Sequence, residues 1–129
     1  MDADQKVDPW PTEIRVSADR RALTVGFEGG DVFTLAAEFL RVMSPSAEVQ
    51  GHTPEQKKTV PGKRDVVILK VEPVGNYAVR IVFDDLHDSG IYGWRLLRRY
   101  GREQTALWQA YLDDLAARGM TRDPARRAP

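Results

Sequence analysis

An α+β fold with a small, mostly antiparallel sheet is predicted by three features: period-two apolar residues in two separate blocks, turn chemistry inside each block, and helical periodicity between and after them. In the first block Ile14 and Val16 alternate with Glu13 and Arg15, and Leu23, Val25 and Phe27 repeat at period two. Glu28-Gly29-Gly30-Asp31 then supplies a hairpin turn, because two glycines accept positive φ without strain, and residues 32–35 return. In the second block residues 66–71 are a nearly continuous apolar run, the pattern of a central strand covered on both faces. Residues 73–76 turn the chain, and Tyr77, Val79, Ile81 and Phe83 alternate along its hairpin partner. The expected count is about five strands in two hairpins.

Between the blocks Leu35, Phe39, Leu40 and Met43 share one face of a short helix, stopped by Ser44-Pro45. Thr53-Pro54-Glu55-Gln56 has a capping-box pattern without an apolar face, so a turn or two is expected there. After the second block, residues 94–100 are expected to form a turn or two of helix closed by Gly101. Residues 102–118 then form the main helix, which packs a stripe of Leu107, Trp108, Tyr111, Leu112 and Leu115 on the sheet, with Gly119 as its C′ glycine. Trp108 falls at the edge of that stripe, the position from which a homodimer contact would be made. Residues 1–11 and 120–129 are polar or Arg/Ala/Pro-rich with little to bury. They are expected to be flexible and disordered tails around one domain at 12–119.

Composition narrows the function. Lys+Arg and Asp+Glu are each 19, so binding to nucleic acid or to anionic lipid has no net basic charge to drive it. Zero cysteine removes disulfides, thiolate metal sites and cysteine nucleophiles together. Neither an apolar leader nor a membrane-length apolar run is present, so the chain reads as cytoplasmic.

Two long polar connections, residues 44–64 and 84–92, each carry one of the two histidines. Connections that long inside a compact domain are usually functional. His52 and His87, with Asp84, Asp85 and Glu48, are the weak candidates for a divalent-metal site, since imidazole and carboxylate are suitable donors. No spacing forces them to converge, and carboxylates beside a loop histidine commonly cap turns instead. Neither a metal nor a cofactor is expected. Ser89 lies two residues from His87 but lacks the elbow motif of a nucleophilic serine, so a turn role is expected.

Residues 39–52, Phe-Leu-Arg-Val-Met-Ser-Pro-Ser-Ala-Glu-Val-Gln-Gly-His, and residues 71–92, from Val-Glu-Pro-Val-Gly-Asn-Tyr to Asp-Asp-Leu-His-Asp-Ser-Gly-Ile-Tyr, resemble the gamma-butyrobetaine hydroxylase-like N-terminal domain. The resemblance covers roughly residues 11–119 and implies an accessory module. In that family the domain occurs alone in bacteria, ahead of an oxygenase domain, or joined to P-loop ATPases of iron–sulfur supply. It also implies a zinc site of three cysteines and a histidine. The matching positions here are Ser44, Ser46, Val49 and His87, and Leu86 stands where glycine is frequent. Hydroxyls and a valine do not replace thiolates, so the resemblance implies a scaffold without its metal. The expected role is non-enzymatic binding of an unidentified protein through Arg41, Glu48, His52, His87, Ser89 and Tyr92. A metal or iron–sulfur-supply role on His52 and His87 is the alternative.

Overall fold

A computed structural model describes residues 9–125, and within them the class is α+β. Strands β1 (Pro11–Val16), β2 (Ala22–Phe27) and β3 (Val32–Ala36) form one antiparallel sheet in the order β1-β2-β3. Strands β4 (Ile68–Val74), β5 (Ala78–Phe83) and β6 (Gly90–Gly93) form a second, in the order β4-β5-β6. Helices α1 (Ala37–Val42) and α2 (Ala47–Gln50) and a 3-10 turn at Pro54–Gln56 lie between the sheets in sequence, and α3 (Trp94–Ala117) follows them.

The expectation of five strands in two hairpins is corrected to six strands. The additional one, Gly-Ile-Tyr-Gly, overlaps the connection that the sequence shows as polar, because four residues bounded by glycines carry no alternation. It exists because β5 offers a complete row of partners, Val79 opposite Tyr92 and Ile81 opposite Gly90. Tertiary pairing here supplies what local propensity lacks.

Residues 66–71 are not the central strand. β4 is an edge, with Leu69 and Lys70 exposed, while β5 runs between β4 and β6 and buries Ala78, Val79, Ile81 and Phe83. The hairpin at 28–31 forms as expected, with Gly29 and Gly30 at φ +97° and +103°.

Gly101 does not close a short helix. α3 runs through it without interruption, because this is where the helix crosses β3: a Cβ at Gly101 would lie 2.2 Å from Cγ of Phe33. The glycine is there for close approach. At its far end α3 terminates as anticipated, with Gly119 at φ +66°, its N–H donating to the Ala116 carbonyl and that of Met120 to Leu115.

A single core joins both sheets and two helices. Leu23, Val25 and Leu35 of the first sheet meet Ile68, Ile81, Phe83 and Tyr92 of the second, with Phe39 and Leu40 of α1 and Leu97 and Tyr100 of α3. Val42, Tyr111 and Leu115 make a smaller satellite.

The expected tails are corrected where they are described. Pro9 is buried, Trp10 accepts the Glu28 N–H, and residues 121–123 are hydrogen-bonded to residues 62–64 and to Glu38. Those contacts are main-chain and ionic, which apolar periodicity does not register. Residues 1–8 and 126–129, the rest of both expected tails, lie outside the described residues.

Candidate functional site

The two long connections meet at one place. Pro45 ends α1, and Ser46 restarts the chain as N-cap of α2, its Oγ accepting the Glu48 N–H at 3.2 Å. From β5 the chain turns at Phe83, whose carbonyl accepts the Leu86 N–H and whose N–H donates to the His87 carbonyl. That closure requires a positive φ at Leu86, which stands at +72° with its side chain in solvent.

The two segments are clamped by side chains. Ser44 Oγ and His87 Nε2 are 2.8 Å apart, Ser46 Oγ and Ser89 Oγ 2.7 Å, and His87 Nδ1 lies 3.2 Å from Glu48 Oε2. Burial, reinforced by Arg41, lowers the His87 pKa from its ordinary value, so the ring is neutral at pH 7. The Glu48 carboxylate then calls for the proton on Nδ1, leaving Nε2 to accept from the Ser44 hydroxyl. Ser44 Oγ in turn accepts the Ser46 N–H at 3.2 Å.

Beside this chain Asp85 accepts from Arg41 Nε at 2.7 Å, from the His87 N–H at 3.1 Å, and pairs with Lys63 Nζ at 2.6 Å. Burial would raise the Asp85 carboxyl, but Lys63, Arg41 and the His87 amide outweigh it and hold it at about 2. Two tyrosines cap the end of α1: the Tyr92 hydroxyl donates to the Leu40 carbonyl and Tyr100 to that of Met43.

Serine, histidine and carboxylate stand in the order of a hydrolytic triad, yet the geometry offers no attack. Ser44 is fully buried, and its oxygen is itself an acceptor of a main-chain N–H. β6 passes so close that a Cβ on Gly90 would lie 2.7 Å from Ser44 Oγ. The arrangement is a tie between segments, with no room for a substrate.

The predicted residues separate accordingly. Arg41, His87 and Tyr92, expected on a binding surface, are corrected to positions beneath it: the Arg41 and His87 side chains are 11% and 2% exposed and Tyr92 0%. Each sits in or beside a polar segment, which points outward in sequence, but each is held inward by a hydrogen bond. Glu48 and Ser89 are exposed, and His52 lies apart, in the bend before the 3-10 turn, its N–H donating to Gln56 Oε1. Asp84 accepts the Val67 N–H. Among the described residues no three His, Asp or Glu side chains converge as a metal-holding group, so the His52–His87 pairing proposed for a metal does not assemble.

Residue-level reading missed Lys63, Gly90 and the clamping role of Ser44 and Ser46. Only Ser46 carried a local signal, a serine directly before an acidic first turn.

Fold and site together define a small α+β module whose two histidine-bearing connections are joined by hydrogen bonds. Residues 14–98 match the model of the family described as gamma-butyrobetaine hydroxylase-like, N-terminal, and the chain belongs to that family. Two NMR solution structures are similar to it at 41% identity. One has a TM-score of 0.78 over 93% of this chain and 94% of the other, and the second has 0.79 over 99% and 95%. A crystal structure of a DUF971-family protein of unknown function from Acidithiobacillus ferrooxidans is similar at 38% identity, TM-score 0.58, over 69% of this chain and 89% of that one. No curated protein matches.

The zinc site implied by the family does not fit these residues. Ser44 and His87 are at hydrogen-bond distance, Ser46 bonds to Ser89, and Val49 contributes buried hydrocarbon. Neutral hydroxyls are poor zinc donors, and one imidazole already bonded at both nitrogens does not make a site.

Proposed function

We propose that the chain is a non-enzymatic accessory module of the cytoplasm that binds another protein through the tip formed by residues 84–89 and the adjoining Glu48. The observation that supports this most is Leu86: a bulky apolar side chain, 84% exposed, held in a left-handed conformation by a turn whose base is clamped to α2. Backbone strain and exposed hydrocarbon are both unfavourable for the isolated chain, and their coincidence at a rigid tip is what a binding anchor requires. Asp84 and Asp88 flank it in sequence, both exposed, with Asp88 3.8 Å from Arg80, so the fitting partner offers an apolar pocket with a Lys or Arg beside it. No comparable geometry favours a metal or iron–sulfur-supply role.

A photo-crosslinking amino acid at Asp88, in cells expressing the chain at native level, is expected to give one discrete adduct. Leu86→Asp is expected to abolish it without lowering thermal stability. Absence of an adduct, or one indifferent to that substitution, overturns the reading.

A further inference from the structure

On a different face the chain's own C-terminal segment occupies a groove as a ligand would. Beyond Gly119 the main chain of residues 121–122 lies along residues 62–64: the Gly62 N–H donates to the Thr121 carbonyl at 2.9 Å and the Arg64 N–H to the Arg122 carbonyl at 3.0 Å. The Arg122 guanidinium reaches inward to Glu38, a carboxylate only 8% exposed, with Nε at 2.8 Å and Nη2 at 2.6 Å from its two oxygens. The same guanidinium stacks over the Trp108 ring, 5.1 Å from its centroid. Arg64 Nε bonds Asp123 Oδ1 at 2.5 Å. Main-chain donors thus read the carbonyls of a bend that the Asp123 N–H closes on Thr121 Oγ1, a buried acid and an indole read one guanidinium, and a cation reads the acid that follows it.

Three features separate this from ordinary packing of a terminus. The segment buries little hydrocarbon, Met120 being 40% exposed, so polar recognition holds it and its release exposes few apolar atoms. Glu38 is buried on a helix facing α3, a costly place for a carboxylate unless a cation is supplied. Open space of about 410 Å3 also adjoins Arg122, bounded by Glu38, Trp108, Gln104, Thr105 and Gln109.

We propose that this groove is a second protein-interaction site, which takes a bent Thr-Arg-Asp segment from a partner protein, and that residues 121–123 are its resident competitor. Displacement exchanges one guanidinium for another, so Glu38 keeps its cation throughout. The tip at Leu86 plays no part.

The test uses the full chain carrying Arg122→Ala, titrated with the peptide Gly-Met-Thr-Arg-Asp-Pro-Ala and with its Arg-to-Lys version, read by Trp108 fluorescence and by melting temperature. The expected result is saturable binding of the arginine peptide at least about tenfold tighter than the lysine peptide, because only the planar fork engages Glu38 bidentately. The wild-type chain should bind about tenfold more weakly through competition with its own segment. Adding Glu38→Gln should remove binding, while Leu86→Asp should leave it unchanged. Folded Arg122→Ala protein that binds neither peptide, or binds regardless of Glu38→Gln, overturns the proposal. So does formation of mixed dimers with wild-type chain, which would make the segment an exchange element between copies. If Arg122→Ala does not fold, Arg122→Lys, which keeps the charge without the fork, is judged by the same outcomes.

Discussion

Leu86 sits at φ +72° with most of its side chain in water. A left-handed conformation costs an L-residue roughly 1–2 kcal/mol, and glycine removes that cost while giving back part of it through a freer unfolded chain. Leu86→Gly should therefore stabilise the fold by about 0.5–1 kcal/mol in urea titration, while removing the side chain proposed to contact a partner. Stability and binding are expected to move in opposite directions, which an ordinary surface leucine would not produce. Ser44 behaves in the opposite sense. Ser44→Ala leaves His87 Nε2 and the Ser46 N–H buried without their shared partner, so a loss of about 1–3 kcal/mol is expected by the same measurement. Acid sensitivity follows from the same cluster. Both His87 and Asp85 have folded-state pKa values below their ordinary ones, so each contributes stability above its unfolded pKa that is lost as pH falls. The His87 contribution should begin to fade below about pH 6.5, and that of Asp85 between about pH 4 and 2, the latter being worth about 2 kcal/mol. Urea midpoints measured from pH 7 to pH 3 should show the upper decline vanish in His87→Gln and the lower one shrink in Asp85→Asn.

Among the elements, α3 depends on a glycine for its contact with β3 rather than for its own termination. Gly101→Ala adds helix propensity worth about 1 kcal/mol, yet it drives a methyl group into the Phe33 ring. The net effect should be a loss of about 1–3 kcal/mol in thermal or urea unfolding, recovered in part by Phe33→Leu; stabilisation by Gly101→Ala would refute the close crossing. The same glycine shows where local sequence signals stop. β2, β3, the 28–31 hairpin, β5 and the end of α3 at Gly119 were legible because alternation, glycine pairs and a C′ glycine act within a few residues. β6 was not, since its pairing comes from β5, and the apolar run at 66–71 did not reveal that its strand lies at an edge. A glycine inside a helical pattern reads as a stop until the neighbour it admits is known. The site divided in the same way. Polar spacing located the two connections, whereas the inward turn of Arg41, His87 and Tyr92 depends on partners 43 to 52 residues away in sequence.

For the molecule as a whole, the question is whether two separate three-stranded sheets make two folding units or one. Three strands with one apolar face are near the lower limit of independent stability. Neither sheet is left alone here. Leu40, fully buried in α1, lies in the cluster that joins Leu23 and Val25 of the first sheet to Ile81 and Phe83 of the second. The β1–β2 turn is also tied to β4, with the Ile68 N–H donating to the Arg20 carbonyl and Arg20 Nη1 bonding the Leu69 carbonyl at 2.7 Å. Unfolding of one sheet would strip hydrocarbon from the other, so intermediate states with a single sheet should be sparsely populated. Leu40→Ala is expected to cost about 2–5 kcal/mol and to lower protection from hydrogen exchange equally for the slowest amides of β2 and β5. Far-UV circular dichroism and tryptophan fluorescence should report one coincident transition before and after the substitution. If the β2 amides kept their protection while those of β5 lost it, the sheets would be separate units, and the buried tie between the two histidine-bearing segments would be a local feature of the second sheet rather than part of the common core.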